Sequence, residues 1–225
     1  IKRKTADRYR NRFVNTNIID LKKQRPYSSK YISPYTIRKI NGVKVGIMAV
    51  STFKNKNASK DKSLKGLYFE DPVLSILKYH KRLKRKGVKL FVLLMHTHND
   101  CKENACNSSE ETIEKVTKRL PPNSIHAIVG SAPIMINRKI NGIPVIQNLG
   151  NGKYLSRIEL FYNLNEKRLL KEKTIIHSPT KLCSRFFTAT QDCHIEIDQY
   201  TQKKAELIKA SNYEKGSAKF LGIEI

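Results

Sequence analysis

The segment Met95-His96-Thr97-His98-Asn99-Asp100 places two imidazoles, an amide and a carboxylate within five positions. Zinc and manganese accept these ligand types. The cluster follows the longest apolar run of the chain, Leu90 to Met95, and a loop at a strand end can aim one or two side chains at a site. A metal centre needs three or more protein ligands. His-x-His also occurs in loops without metal, so spacing alone leaves both readings open. The other histidines supply no set. His80 falls on or near the apolar face of a helical pattern, His126 lies within an apolar run, His177 closes one, and His194 follows Cys193. No Walker-type loop, dinucleotide fingerprint, nucleophile elbow or HExxH motif occurs. Gly150-Asn151-Gly152 reads as a tight turn, and Asp71 and Glu111 read as helix caps rather than acids or bases.

The four cysteines form two close pairs, Cys101 with Cys106 and Cys183 with Cys193. Neither pair has zinc-finger spacing and no CxxC occurs. Both pairs fall in expected loops, where closure needs little backbone distortion. Two local disulfides in an oxidising compartment are therefore expected, and four unrelated thiols in a reducing one are the alternative.

The elements that must position these residues follow from apolar periodicity. Phe13 to Ile19 reads as a short strand and Leu21 to Ser33 as a loop. Tyr35 to Val50 reads as a hairpin turning at Asn41-Gly42, with a second arm apolar enough to be covered on both faces. Asp71-Pro72 opens a helix as cap and first residue, followed by Val73, Ile76, Leu77, His80 and Leu83 at helical spacing, and Gly87 ends it. Val88 to Met95 is the strongest strand pattern, read as central and parallel. A second helix spans about residues 109–120, with Ser108 and Glu111 as a capping box. Ile125 to Val129 is the next strand, and Gly130 begins a second loop. Alternating strands and helices imply an open α/β sheet, whose ligands sit beyond the carboxyl ends of the strands. From Ile140 short strands follow without crossover helices: Pro144 to Gln147, Tyr154 to Tyr162 and Leu169 to Ile176, the last two joined by a turn at Asn163 to Lys167. Residues 196–210 form a possible helix in a weakly patterned tail. No apolar run has transmembrane length.

Several segments, in order, resemble the metallophosphoesterase domain of bacterial 5'-nucleotidases, of the calcineurin-like phosphoesterase family. They are Phe13-Val-Asn-Thr-Asn-Ile18, Asn41-Gly-Val-Lys-Val-Gly-Ile-Met-Ala-Val50, Tyr68-Phe-Glu-Asp-Pro72, Leu93-Leu-Met-His-Thr-His98, Asn141-Gly-Ile-Pro-Val-Ile-Gln147 and Gly152-Lys-Tyr-Leu-Ser-Arg-Ile-Glu-Leu160. The resemblance covers about residues 13–180. It implies a four-layer α/β/β/α sandwich and a two-metal site that hydrolyses phosphate monoesters, mostly nucleotides. The implied division is a partial metallophosphoesterase-like domain over 1–180 and a linker or extension over 181–225. Carried over, His96 matches a metal ligand, and His98 is its weaker neighbour.

Departures from that pattern point to lost chemistry. The family's Asp-x-His, bridging Asp and Asn-His should precede Phe13, where only twelve residues stand and none supplies them. The amino-terminal part of the domain is therefore expected to be missing. The later Gly-His-x-His is replaced by Gly130-Ser131-Ala132-Pro133. No full metal site is retained. Manganese or zinc would bind only if another segment or chain completed it. A degenerate domain without independent catalysis is the first expectation. A nucleotide or phosphomonoester hydrolase, assembled with a missing amino-terminal segment or companion chain, is the alternative. With the paired cysteines, the resemblance also implies an exported or periplasmic protein.

The formal net charge of +25 attracts polyanions over long range. RNA, DNA, anionic lipid and phosphorylated small molecules all fit, and so does a bias toward lysine. Lys81, Arg82, Lys84, Arg85 and Lys86 crowd one helix end. They read as a solvated end interacting with the helix dipole or, alternatively, as phosphate contacts of a basic module binding nucleic acid or an anionic surface. Aromatic interleaving typical of single-strand platforms is absent.

Overall fold

A computed structural model describes residues 13–52, 66–97, 108–132, 134–149, 153–182, 219–220 and 223–224. Contacts divide the chain into two units, Ile1–Leu182 and Cys183–Ile225. In the first, four short strands come early: β1 (Phe13–Val14), β2 (Ile18–Asp20), β3 (Arg25–Pro26) and β4 (Ile32–Ser33). The stretch read as a loop thus holds two strands, because β4 pairs with β1 and β3 with β2. The expected strand at 13–19 is broken at Asn15-Thr16-Asn17, where Asn15 Oδ1 accepts from the Asn17 and Ile18 amides and the Thr16 and Asn17 side chains bond to other segments.

The hairpin forms as expected. Strands β5 (Tyr35–Ile40) and β6 (Val43–Ser51) pair antiparallel around Asn41 and Gly42, whose φ values of 46° and 83° are left-handed. Strand β7 (Leu67–Phe69) pairs with β2 and leads to helix α1 (Pro72–Arg85). The Asp71 carboxylate caps α1 by accepting from the Val73 and Leu74 amides. Strand β8 (Leu90–His96), helix α2 (Ser108–Lys118) and strands β9 (Ala127–Ser131), β10 (Ile136–Ile140) and β11 (Ile143–Gln147) follow. They build a sheet ordered β10-β11-β9-β8-β6-β5, in which β6, β8, β9 and β11 run parallel and the edges are antiparallel.

One sheet face is packed by the helices. Val73, Ile76, Tyr79 and Leu83 of α1 and Ile113 and Val116 of α2 bury against Met48, Val50, Phe91, Leu93, Met95 and Ile128. The periods of 3.6 and 2 meet there, as the sequence patterns require. The opposite face carries Val43, Val45 and Leu90, covered by Tyr162 and Leu169. These two belong to strands β14 (Tyr162–Asn163) and β15 (Arg168–Leu169), which follow β12 (Tyr154–Leu155) and β13 (Ile158–Glu159) and precede β16 (Ile175–Ile176) and β17 (Thr180–Lys181). The two longer strands expected over 154–162 and 169–176 are thus short ladders. This cover lies toward the amino ends of the parallel strands. Leu94 of β8 and Val129 of β9, nearer the carboxyl ends, are 39% and 37% exposed, so these central strands are covered on both faces for only part of their length. In the second unit, β18 (Lys219–Phe220) pairs antiparallel with β19 (Ile223–Glu224).

The disulfide expectation is corrected. No disulfide occurs among the described residues, and Cys101, Cys106, Cys183 and Cys193 lie outside them. Short separation makes a bridge feasible without requiring it. The export reading that leaned on paired cysteines falls with it. No described helix is long and apolar enough to cross a membrane. The expected helix at 196–210 also lies outside the described residues.

Candidate functional site

Parallel pairing puts three strand ends side by side. His96 pairs with Ser51 of β6 on one side and Ser131 of β9 on the other. Paired residues point to the same face, so Ser51, His96 and Ser131 form one row across the carboxyl edge of the sheet. The row below is apolar, with Leu94 paired to Ala49 and Val129. His96 is exposed at the end of β8, as the polar break after Met95 implies.

Gly130 does not begin a loop. It lies inside β9, paired with Met95, because both β8 and β11 flank that strand. Its lack of a side chain is required by packing. A Cβ there would stand 2.2 Å from Gln147 Oε1 and 3.0 Å from Gln147 Cβ. Gln147, fully buried at the end of β11, donates from Nε2 to the Ile134 carbonyl at 2.9 Å. This pins the turn that follows Ser131.

Beyond the strand ends lies an open cleft of about 570 Å³, lined by His96, Gly130, Ser131, Ala132, Gln147, Asn148, Tyr154 and Ser156 among others. The meeting of His96 with the Gly130 strand is the placement that open-sheet topology predicts. Sequence reasoning missed the β11 contribution. The signal was available, since Gln147-Asn148 is a polar pair directly after an apolar strand. The new polar wall is bonded to itself: Ser156 Oγ donates to Asn148 Oδ1 at 2.6 Å, and Asn148 Nδ2 donates to the Tyr154 carbonyl at 3.1 Å. His96 and Ser131 side chains have no hydrogen-bond partner among the described residues.

A buried amide holds the β6 end in place. Asn17 Oδ1 accepts from the Ser51 amide at 3.0 Å, while Nδ2 donates to the Ser51 and Glu70 carbonyls at 2.8 and 2.9 Å. Thr16 Oγ1 accepts from the Ala49 amide at 2.9 Å and donates to the Pro34 carbonyl at 2.8 Å.

The donor chemistry does not fit a metal pair. Among the described residues the cleft offers one imidazole, hydroxyls and amides, with no lining carboxylate. No group of three or more His, Cys, Asp or Glu able to hold a metal occurs among the described residues. His98 and Pro133 lie outside them. His80 and His126 belong to the packing instead. The rings of both lie against Phe91, and His126 Nδ1 accepts from the Phe91 amide at 3.0 Å. Burial, with lesser effects from Lys171 and His80, pushes the His126 pKa down to about 4. His177 pairs at the surface with Glu159 at 3.0 Å. Lys81, Arg82, Lys84, Arg85 and Lys86 sit exposed on α1 and just beyond it, away from the cleft lining.

No family model matches the sequence. Cell wall protein Lmo0130 of Listeria monocytogenes is 25% identical over 134 residues, covering 56% of this chain and 17% of its own length. Endonuclease YhcR of Bacillus subtilis is 22% identical over 155 residues, covering 68% of this chain and 12% of its own. The chain therefore spans less than a fifth of the length of these relatives. Among solved structures, the sulfate thiohydrolase SoxB of Thermus thermophilus matches with a TM-score of 0.53 at 17% identity, over 75% of this chain and 27% of that one. The calcineurin-like phosphoesterase YfkN of Bacillus subtilis matches with a TM-score of 0.52 at 20% identity, over 75% and 54%. The 5'-nucleotidase precursor of Thermus thermophilus matches with a TM-score of 0.50 at 19% identity, over 75% and 32%. At such identities the likeness is one of fold: the chain has the α/β sandwich of calcineurin-like and 5'-nucleotidase phosphoesterases.

Proposed function

We propose that this chain is a non-catalytic phosphoesterase-fold domain, whose strand-end cleft binds a small polar or anionic group without hydrolysing it. One observation carries the reading. In the row where ligands would have to cluster, a single imidazole, His96, is flanked by two serines. Two hydroxyls and one imidazole can donate to a phosphate or carboxylate. They fall short of the three or more thiolate, imidazole or carboxylate ligands that a zinc site takes. The domain is proposed to end near residue 180, with residues 181–225 acting as a linker or extension.

The test is turnover of p-nitrophenyl phosphate with manganese or zinc added. No metal-dependent hydrolysis above buffer is expected, and robust turnover abolished by His96→Ala would overturn the proposal. A complementary arm restores ligands. Ser51→Asp combined with Ser131→His should give stoichiometric zinc binding where the parent chain gives none.

A second reading, a phosphomonoester hydrolase completed by another segment or chain, draws support from the small share of its relatives that this chain spans. Its mark would be activity that appears only when a longer protein is assayed and still requires His96.

A further inference from the structure

We propose that α1 and the β5–β6 hairpin form a docking surface for duplex nucleic acid that contacts backbone phosphates without reading bases. The sequence concentrates cations at the end of one helix. The fold adds two more from the hairpin and aligns them. Lys78, Arg82, Arg85 and Lys86 stand at i, i+4, i+7 and i+8, which makes one stripe along α1. Lys39 and Lys44 are partners across the hairpin. All six side chains are exposed.

The surface is held in shape. Lys44 Nζ donates to the Lys86 carbonyl at 2.9 Å, tying the hairpin to the helix end. Arg82 and Lys86 lie over the Tyr35 ring at 5.7 and 5.9 Å, which fixes both beside β5.

No carboxylate occurs in residues 35–52 or 72–97. Among the described residues none of the six cations forms an ion pair, whereas ion pairs occur elsewhere, as in Arg119–Asp71 and Lys118–Glu114. Like charges at i, i+4 destabilise a helix. The dipole relieves this for Arg82, Arg85 and Lys86, which stand in the last turn and at the cap, and leaves Lys78 and the two hairpin lysines outside its reach. Protection of an edge strand explains Lys39 on β5, but not a helical stripe of unneutralised cations. A polyanion supplies the missing counter-charge.

The chemistry favours duplex phosphates over the other polyanions. The aromatic ring present, Tyr35, lies beneath the cations and is unavailable for base stacking. A membrane face would present a row of apolar side chains, and the hairpin and helix expose two large apolar residues, Ile40 and Leu74, one on each element. The helical stripe is about 12 Å long; laid along a duplex it covers that length of axis, in which each strand carries three to four phosphates at roughly 3.4 Å of axis apiece.

The test is fluorescence anisotropy with a 20-base-pair DNA duplex between 50 and 200 mM salt. Six phosphate contacts give a log–log salt slope of about −5 and roughly a 10³-fold affinity loss over that range. The variant Lys39→Gln, Lys78→Gln, Arg82→Gln, Arg85→Gln should bind about 100-fold more weakly at 50 mM, with the slope reduced by about 3.6. A control with the same net charge, Lys22→Gln, Lys139→Gln, Lys153→Gln, Lys173→Gln, should lose less than about threefold. If the first variant melts early, Lys39→Gln with Lys78→Gln carries the same test, since neither side chain touches Tyr35. Equal losses in both four-residue variants would overturn the proposal by reducing binding to net charge. So would a parent chain that binds phosphatidylserine vesicles through this patch and leaves the duplex free.

Discussion

Asn17 is the residue whose removal should most weaken the candidate site without touching it. Its side chain makes three hydrogen bonds to backbone groups of Ser51 and Glu70 and is fully buried. Asn17→Ala leaves one amide and two carbonyls without these partners. At about 1 kcal/mol for each lost bond, plus the cost of burying groups left unpaired, the expected destabilisation is roughly 3–4 kcal/mol. Urea denaturation at pH 7 measures it. Asn17→Asp is the sharper variant. A carboxylate keeps the acceptor for the Ser51 amide but faces two carbonyls, so the folded state favours its protonated form and raises its pKa. A raised carboxyl pKa means the native state binds more protons than the unfolded state between the two pKa values. Stability therefore rises as pH falls through the folded pKa and levels off below the unfolded value near 3.9. Asn17→Asp should thus be weaker than Asn17→Ala at pH 7 and recover part of the difference at pH 4. An aspartate variant whose stability falls over that range relative to the alanine variant would refute the bonding argument.

Two further outcomes follow from the geometry around the sheet. Gly130→Ala forces a Cβ to within 2.2 Å of Gln147 Oε1, so denaturation should show a loss of about 1–3 kcal/mol; adding Gln147→Ala should recover part of it, and strictly additive losses would contradict the contact. The His126 pKa of about 4 makes the native state bind fewer protons than the unfolded state between that value and about 6.5. Stability from this group is complete above pH 6.5 and declines by roughly 3 kcal/mol as pH falls toward 4; denaturation at pH 7.5 and 4.5 should show the decline, and His126→Asn, which keeps an acceptor for the Phe91 amide, should flatten it.

The parallel sheet was legible because its signals are local and strong. Asn41-Gly42 dictates a turn, Asp71-Pro72 dictates a helix start, and the Leu90–Met95 run admits little besides a strand. His96 was legible because a polar cluster after such a run must emerge at a strand end. What escaped was set by pairing between distant segments. Gly130 looked like the start of a loop, yet pairing with β8 extends β9 through Ser131. Arg25–Pro26 and Ile32–Ser33 carry no strand pattern of their own and take their form from β2 and β1. The cysteine pairs were read from close separation and loop placement, and these permit a bridge without supplying a reason for one. Asn148 and Ser156 joined the site because β11 ends beside β9, a neighbour relation that no periodicity announces.

The polar groups of the cleft explain how the strand ends hold together with no group of three metal-ligating side chains among the described residues. A cluster of metal-binding carboxylates and imidazoles at strand ends repels itself or goes unsatisfied unless a cation is present, so the fold and the metal become coupled. Here the wall opposite His96 is made of Asn148, Ser156 and the Tyr154 carbonyl, which satisfy one another at 2.6 and 3.1 Å. That wall needs no ion. Strand register, fixed by the apolar rows beneath, still brings His96 and Ser131 together. Neither side chain has a hydrogen-bond partner among the described residues, so both are open to a molecule bound in the cleft, an imidazole and a hydroxyl set side by side. That pair can orient an oxyanion, which is the capacity the proposed binding role draws on.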